Sequence, residues 1–245
     1  MALRDEMVKS GNFMFRWRSY LPLLFLPVVL LALRGFEDLG GSETVDAWWE
    51  AVCGAVAASG IVVRALTVGF VSRHTSGRGT KRQVAERLNT SGMYSLLRHP
   101  LYLGNFLIWM GIALFPHTLW LPPIAILSFW IYYERIMMAE EEFLRARFGA
   151  DFEEWARRTP ALVPAWRNWQ APDIPYSWRA VLAREHATLL ATVLTLFLLE
   201  VAGDYFAGKL THADLAWIVV VSVTVVAYVT LRLLKKRGLL AVEGR

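Results

Sequence analysis

Apolar residues run along this chain in long blocks and not in the strict alternation of a half-buried strand. Six blocks stand out, at about Tyr20 to Leu33, Ala47 to Val71, Leu101 to Phe115, Leu119 to Ala139, Ala187 to Ala202 and Leu215 to Leu234. Several approach the roughly 20 residues that a helix needs to cross a hydrocarbon layer about 30 Å thick. The pattern predicts an all-α, polytopic transmembrane helical bundle. Its first and third blocks are short and contain or adjoin Pro22, Pro27 and Pro100, so five or six spans are expected, the short ones tilted, kinked or partly re-entrant. After the fourth block, Leu144, Phe148, Phe152 and Trp155 recur at helical spacing, while Arg145, Arg147, Asp151, Glu154 and Arg158 cover the other sides. Glu140 to Arg158 is thus expected to be an amphipathic helix lying on the cytoplasmic face of the membrane. Ala161 to Arg179 mixes Pro and Arg with Trp166, Trp169 and Trp178, a composition suited to anchoring in the headgroup layer.

Composition and charge sharpen this picture. A hydrophobic content of 56% with 11 tryptophans is far from that of a soluble domain and agrees with a lipid bilayer as the partner. The net charge of +5 does not point to nucleic acid, because the basic residues lie between apolar spans and form no aromatic-interleaved patch. They alternate instead. The amino-terminal segment (Arg4, Lys9, Arg16, Arg18), the loop with Arg73, Arg78, Lys81, Arg82 and Arg87, the Glu140 to Glu185 segment and the tail at Arg232, Lys235, Lys236 and Arg237 fall on one side. Opposite them are Glu37, Asp38, Glu43 and Asp46, then Asp204, Lys209 and Asp214. Both termini and the long polar segments are therefore expected in the cytoplasm, with the protein in the inner membrane. No small-residue cleavage site follows the basic amino-terminal arm, which is read as retained. Cys53, the single cysteine, reads as core filler, and His74, His99, His117, His186 and His212 are too scattered for a metal site. Three segments are expected: 1–91 with the first spans, 92–164 with the chemistry, and 165–245 with an interfacial stretch and a terminal hairpin. Nothing in the sequence sets an oligomeric state.

Two clusters carry candidate chemistry. In SGMYSLLRHPLYLGN, Pro100 disfavours helix at His99 and suits a first turn, so the third span is expected to start there. The free amides of Leu101 and Tyr102, with Arg98 and His99 beside them, make a place for a carboxylate or phosphate. Gly104 would admit a neighbouring backbone or a flat ring. The acidic counterpart is YYERIMMAEEEFL: Glu134 lies inside the apolar run, where an ionised group is costly unless it serves a site, and Glu140, Glu141 and Glu142 end it. Glu134 and Glu141, two turns apart, share a face. A cationic anion site facing a carboxylate cluster suits a zwitterion with a positive centre, such as S-adenosylmethionine.

The run Gly92-Met-Tyr94-Ser-Leu-Leu-Arg98-His99-Pro100-Leu-Tyr102-Leu-Gly104, followed by Glu140-Glu141, Leu144, Phe148-Gly149 and Pro164, resembles the isoprenylcysteine carboxyl methyltransferase and phospholipid methyltransferase superfamily. The resemblance covers about Gly92 to Pro164. It implies S-adenosylmethionine as cofactor, contacted by His99, Tyr102, Gly104 and the Glu140-Glu141 pair with Tyr94 and Arg98 shaping the site, and an amphiphilic or lipid acceptor entering from the bilayer. Arg98 would suit an anionic acceptor, while Glu134 or Glu141 could take a proton from an amine. The acceptor stays open among a phospholipid amine, a lipid phosphate, a prenylcysteine carboxylate and a small thiol. Phe152 and Trp155 stand where the family has tyrosines, which removes any contact made by those hydroxyls. The last two spans lie outside the resemblance and are expected to anchor the protein. Membrane sterol reductases are a second, nicotinamide-dependent reading, against which Leu101 and Asn105 argue; a non-catalytic transporter or anchor is a third. Arg64, inside the second span, is expected to snorkel toward the basic loop.

Overall fold

A computed structural model of the chain describes residues 3–18, 20–36, 39–71, 85–209 and 215–242. Arg73, Arg78, Lys81 and Arg82 of the basic loop, Glu37, Asp38 and Asp214 of the acidic loops, and His74 and His212 lie outside the described residues. Among the described residues the secondary structure is entirely helical. Helix α1 spans Leu3–Arg16, and α2 (Leu26–Ala32) sits between the 3₁₀ turns Leu21–Phe25 and Leu33–Gly35, the segmentation expected where Pro22 and Pro27 interrupt the donor ladder. Then follow α3 (Glu43–Gly69), α4 (Met93–Leu96), α5 (Pro100–Leu114), α6 (Leu121–Phe148), α7 (Ala150–Arg158), α8 (Trp178–Ala207) and α9 (Leu215–Lys236). Three of them, α3, α8 and α9, are long and apolar enough to cross a membrane, and α5 is a shorter apolar helix. On α9, Val223 and Val226 are each 64% exposed, an apolar face that a lipid bilayer would cover without cost.

Small residues decide how the helices meet. The most extensive contact in the bundle is α3 on α5. There a Cβ on Gly104 would come within 2.5 Å of the Arg64 Cγ and 2.8 Å of the Gly60 carbonyl, and one on Gly111 within 2.6 Å of the Cys53 carbonyl. Close backbone approach of this kind is how helices associate where lipid offers no hydrophobic drive. Cys53, fully buried, fills this core as expected. Gly60→Ala is expected to destabilise the fold by about 1–3 kcal/mol, because the new methyl meets the Gly104 backbone, which cannot rotate away. Equilibrium unfolding in mixed micelles measures it, and an unchanged midpoint would show the crossing to be loose.

Helix α1 packs along α6, where Gly11 lies against the Arg135 carbonyl and Arg4 pairs with Glu142. Met7, Gly11, Met14 and Phe15 form its inner stripe, at helical spacing within the segment read only as a basic arm. The expected single surface helix from Glu140 to Arg158 is instead two. Gly149, at φ 54° and ψ −120°, ends α6 and starts α7 in a conformation that suits only glycine. The apolar side of α7 is turned inward: Phe152 and Trp155 are buried, and Trp155 Nε1 donates to the Tyr94 carbonyl at 3.1 Å. Its amphipathic pattern therefore reflects protein packing.

Candidate active site

The site is assembled around the turn from Gly92 to Pro100. Gly92 takes φ 58°, α4 makes a single turn, and the chain then runs extended through Leu97 to His99. The segment after α7 lies alongside and satisfies its backbone: Arg98 N donates to the Pro160 carbonyl at 2.8 Å, His99 N to Ala161 at 3.1 Å, and Ala165 N to Leu96 at 2.9 Å. Trp166, Trp169 and Trp178 are exposed. Pro100 begins α5 with His99 as its N-cap residue, so the expected helix start is observed. One detail differs. The Tyr102 amide is taken by the His99 carbonyl at 3.0 Å, a tight first turn, which leaves the Leu101 amide as the one of this pair without a protein acceptor among the described residues.

Glu141 gathers the two cationic residues. Its Oε1 accepts from Arg98 Nε at 2.8 Å and sits 2.9 Å from His99 Nε2, while Glu140 Oε2 lies 3.6 Å from His99 Nδ1. Arg98 is further fixed by donating through Nη1 to the carbonyls of Ala156, at 3.0 Å, and Thr159, at 2.6 Å. Burial alone would lower the His99 pKa, but the hydrogen bonds and charges of Glu140 and Glu141 outweigh it and hold the imidazole above its ordinary value. For Glu141 burial works upward, and the hydrogen bonds and charges of His99 and Arg98 win, holding the carboxyl below its ordinary value. In this clamp Arg98 and Glu141 are thus an ion pair, with His99 favoured toward its charged form beside them, and a carboxylate so stabilised is a weak base.

Beside the clamp is a cavity of about 560 Å³, within the range that takes small-molecule ligands. Tyr94, Arg98, His99, Leu101, Tyr102 and Glu140 line it, with Tyr102 stacked on His99 at 5.6 Å between ring centroids. Three expected residues are placed elsewhere. Glu141 holds Arg98 and His99 without bordering the cavity; Gly104 faces α3, whose backbone it admits; and Glu134 is absent from the wall although Tyr133, its neighbour, is on it. The remaining wall includes Arg18, Arg64, Asn105, Tyr133 and Arg184, which sequence reasoning did not assign to the site.

Arg64 does not snorkel. Its Nε and Nη2 form a two-pronged pair with Glu185 of α8 at 2.8 and 3.1 Å, and its Nη1 donates to Asn105 Oδ1 of α5 at 2.5 Å. Asn105 Nδ2 in turn donates to the Tyr133 hydroxyl of α6 at 2.9 Å. Helix α8 therefore does more than anchor: through Glu185 and Arg184 it completes the wall and fastens α3. The signal for this was a charge on each of two apolar helices, which calls for a partner in the bundle.

Comparison with known proteins agrees with this geometry. Residues 51–151 match the family model for phospholipid methyltransferase. The chain is 31% identical over 153 residues, 62% of its length and 67% of the relative's, to the nickel-cobalt-cadmium resistance protein NccN of Alcaligenes xylosoxydans xylosoxydans. It is 38% identical over 100 residues to the cobalt-zinc-cadmium resistance protein CzcN of Cupriavidus metallidurans, covering 40% of this chain and 44% of that one. A probable protein-S-isoprenylcysteine O-methyltransferase of Oryza sativa subsp. indica is 31% identical over 139 residues, 52% of this chain and 68% of the relative. The chain thus spans about two thirds of the first and third relatives and less than half of the second. No solved structure matches it. With the clamp at the start of α5, the acidic pair near the end of α6 and these relatives, the chain belongs to the isoprenylcysteine and phospholipid methyltransferase superfamily and is a membrane methyltransferase.

Proposed function

We propose that this protein transfers the methyl group of S-adenosylmethionine to an oxygen or nitrogen of an amphiphilic or lipid acceptor at the cytoplasmic face of the membrane. One observation carries the reading: Arg98 and Leu101 border the same cavity as Glu140, so an anion site and a carboxylate share one space. The residues fit the group. Arg98 and the Leu101 amide suit its carboxylate, Glu140 its ammonium or sulfonium charge, and the stacked His99 and Tyr102 rings offer flat faces. When bound, it supplies an activated methyl: the acceptor's lone pair forms the new bond to carbon as the carbon–sulfur pair returns to sulfur.

The protein's own part is placement and exclusion of water. Glu141 and the Ala156 and Thr159 carbonyls hold the Arg98 fork in one orientation, and Tyr94 is fixed through its carbonyl by Trp155. Both ends of the described chain come to the site's end of the bundle, where Arg4 pairs with Glu142 and Lys235 Nζ donates to the Ala183 carbonyl at 2.8 Å. Asp46, Glu50, Glu200 and Asp204 gather at the other end. That asymmetry supports a cytoplasmic site, with five or six crossings if the α2 segment and α5 are counted among the spans. Family membership favours the methyltransferase over the nicotinamide-dependent and non-catalytic alternatives.

The test is calorimetric titration of detergent-purified protein with S-adenosylmethionine. Saturable binding is expected, reduced at least about a hundredfold in an Arg98→Ala/His99→Ala variant that keeps its helical circular dichroism. A folded wild-type protein without affinity for the cofactor would overturn the reading.

A further inference from the structure

The polar chain that crosses the bundle beside the cavity has a forced direction. A guanidinium carries donors only, so Arg64, paired through Nε and Nη2 with Glu185, requires that Asn105 turn its Oδ1 toward Nη1. The flipped amide would set one donor against another at 2.5 Å. Asn105 Nδ2 is therefore committed to the other side, where it donates to the Tyr133 hydroxyl at 2.9 Å. A hydroxyl that accepts there keeps its own proton to give. Among the described residues, no protein acceptor takes that proton, and Tyr133 borders the cavity. Packing leaves its ring little freedom: Phe129 stacks on it at 4.1 Å, Tyr132 meets it edge-on at 5.0 Å, and Tyr102 tilts against it at 4.8 Å.

We propose that Tyr133 donates a hydrogen bond into the cavity to an oxygen of the methyl acceptor, that Glu185 sets this direction through Arg64 and Asn105, and that the acceptor group is accordingly a carboxylate or phosphate. The inference rests on the methyl-transfer reading above and deepens it. An ammonium has no lone pair to receive the Tyr133 proton, and a neutral amine has a single one, which that proton would withhold from the methyl carbon, whereas an oxyanion can use one oxygen for Tyr133 and attack with another. The attacking oxygen forms its bond to the methyl carbon, the carbon–sulfur electron pair stays on sulfur, and no proton moves, so no general base is needed. Tyr133 would contact the acceptor; Asn105, Arg64 and Glu185 are positioning residues.

The experiment measures equilibrium binding of three amphiphiles to detergent-purified protein saturated with S-adenosylhomocysteine, followed by tryptophan fluorescence. The probes are N-acetyl-S-farnesylcysteine, a carboxylate; dodecyl phosphate; and dodecylamine. At least one oxyanion probe is expected to bind about tenfold or more tighter than the amine, and which of the two does so names the source. Tyr133→Phe is expected to weaken that binding about ten- to a hundredfold, the worth of a hydrogen bond to a charged group. Asn105→Asp keeps the heavy atoms but offers only acceptors, so the Tyr133 proton turns toward it. This variant should reproduce the Tyr133→Phe defect with the hydroxyl still present, and the double variant should be no worse than either single one. Amine binding as tight as that of both oxyanions, unchanged binding in Tyr133→Phe, or additive losses in the double variant would each overturn the proposal. Calorimetry with S-adenosylmethionine on the same samples separates the two readings, since its absence in wild-type protein defeats the methyl-transfer reading itself.

Discussion

Glu185→Ala is expected to destabilise the protein by about 3–5 kcal/mol, because it strands a buried guanidinium without its counter-ion. The Glu185 and Arg64 side chains are only 5% and 14% exposed, and their pair joins α8 to α3. Neither the Asn105 carbonyl nor the Thr188 hydroxyl, 3.4 Å from Nη2, can supply the missing charge. The companion variant Arg64→Met/Glu185→Leu should recover most of the stability, since an apolar pair of similar size carries no desolvation cost. It should not recover acceptor binding, because it removes the group that orients Asn105. Equilibrium unfolding in mixed micelles reads the first effect and probe binding the second. A stable Glu185→Ala protein would mean that water, not Glu185, solvates Arg64.

Glu141→Gln has the second largest expected effect, on the cofactor. The amide can replace one hydrogen bond but not the charge that Arg98 and His99 share, so cofactor affinity should fall by about thirtyfold or more. Proton linkage gives an independent check. His99 is raised above its ordinary 6.5, so its contribution to stability is complete below that pH and is lost as the pH rises through the folded value. Glu141 is lowered below its ordinary 4.5, so its contribution is present above that pH and is lost as the pH falls through the folded value. Between 4.5 and 6.5 both are present, and wild-type stability from the clamp should be greatest there. Thermal unfolding from pH 4 to 9 should show a decline on the alkaline side of that window, made shallower by Glu141→Gln, which leaves His99 only Glu140. Identical slopes in the two proteins would remove Glu141 from the clamp.

Much of the site could be read from local rules. Pro100 specifies a helix start from its own ring geometry, and Arg98, His99 and Tyr102 come to the cavity because each is within two residues of it, whereas Glu140 reaches the cavity from inside α6, which runs on to Phe148. Reading α7 as a surface helix failed at one residue. The amphipathic pattern of Ala150–Arg158 is the same whether lipid or protein covers it, and Gly149, singled out as part of a motif, carries no local mark of the turn that it makes. Helix α1 was legible but overlooked, since its buried stripe was masked by the basic residues around it. Depth in an apolar run singled out Glu134, whereas the residues of α6 that border the cavity include Tyr133 and Glu140, seven positions apart on another face of the helix.

Apolar blocks, prolines and charge alternation act over a turn or two of chain, and they were sufficient for the helical class and for the start of α5. Pairing between those helices is of another kind. Arg64 and Glu185 are 121 residues apart, and each alone is simply a charge in an apolar block, equally compatible with snorkelling or with burial. Only the approach of α3 to α5 at Gly60 and Gly104, and of α8 to both, brings Arg64, Glu185 and Asn105 into contact and turns Tyr133 into a donor. The direction of a hydrogen bond depends on every partner in its chain, so it exists in the packed bundle and in no single segment.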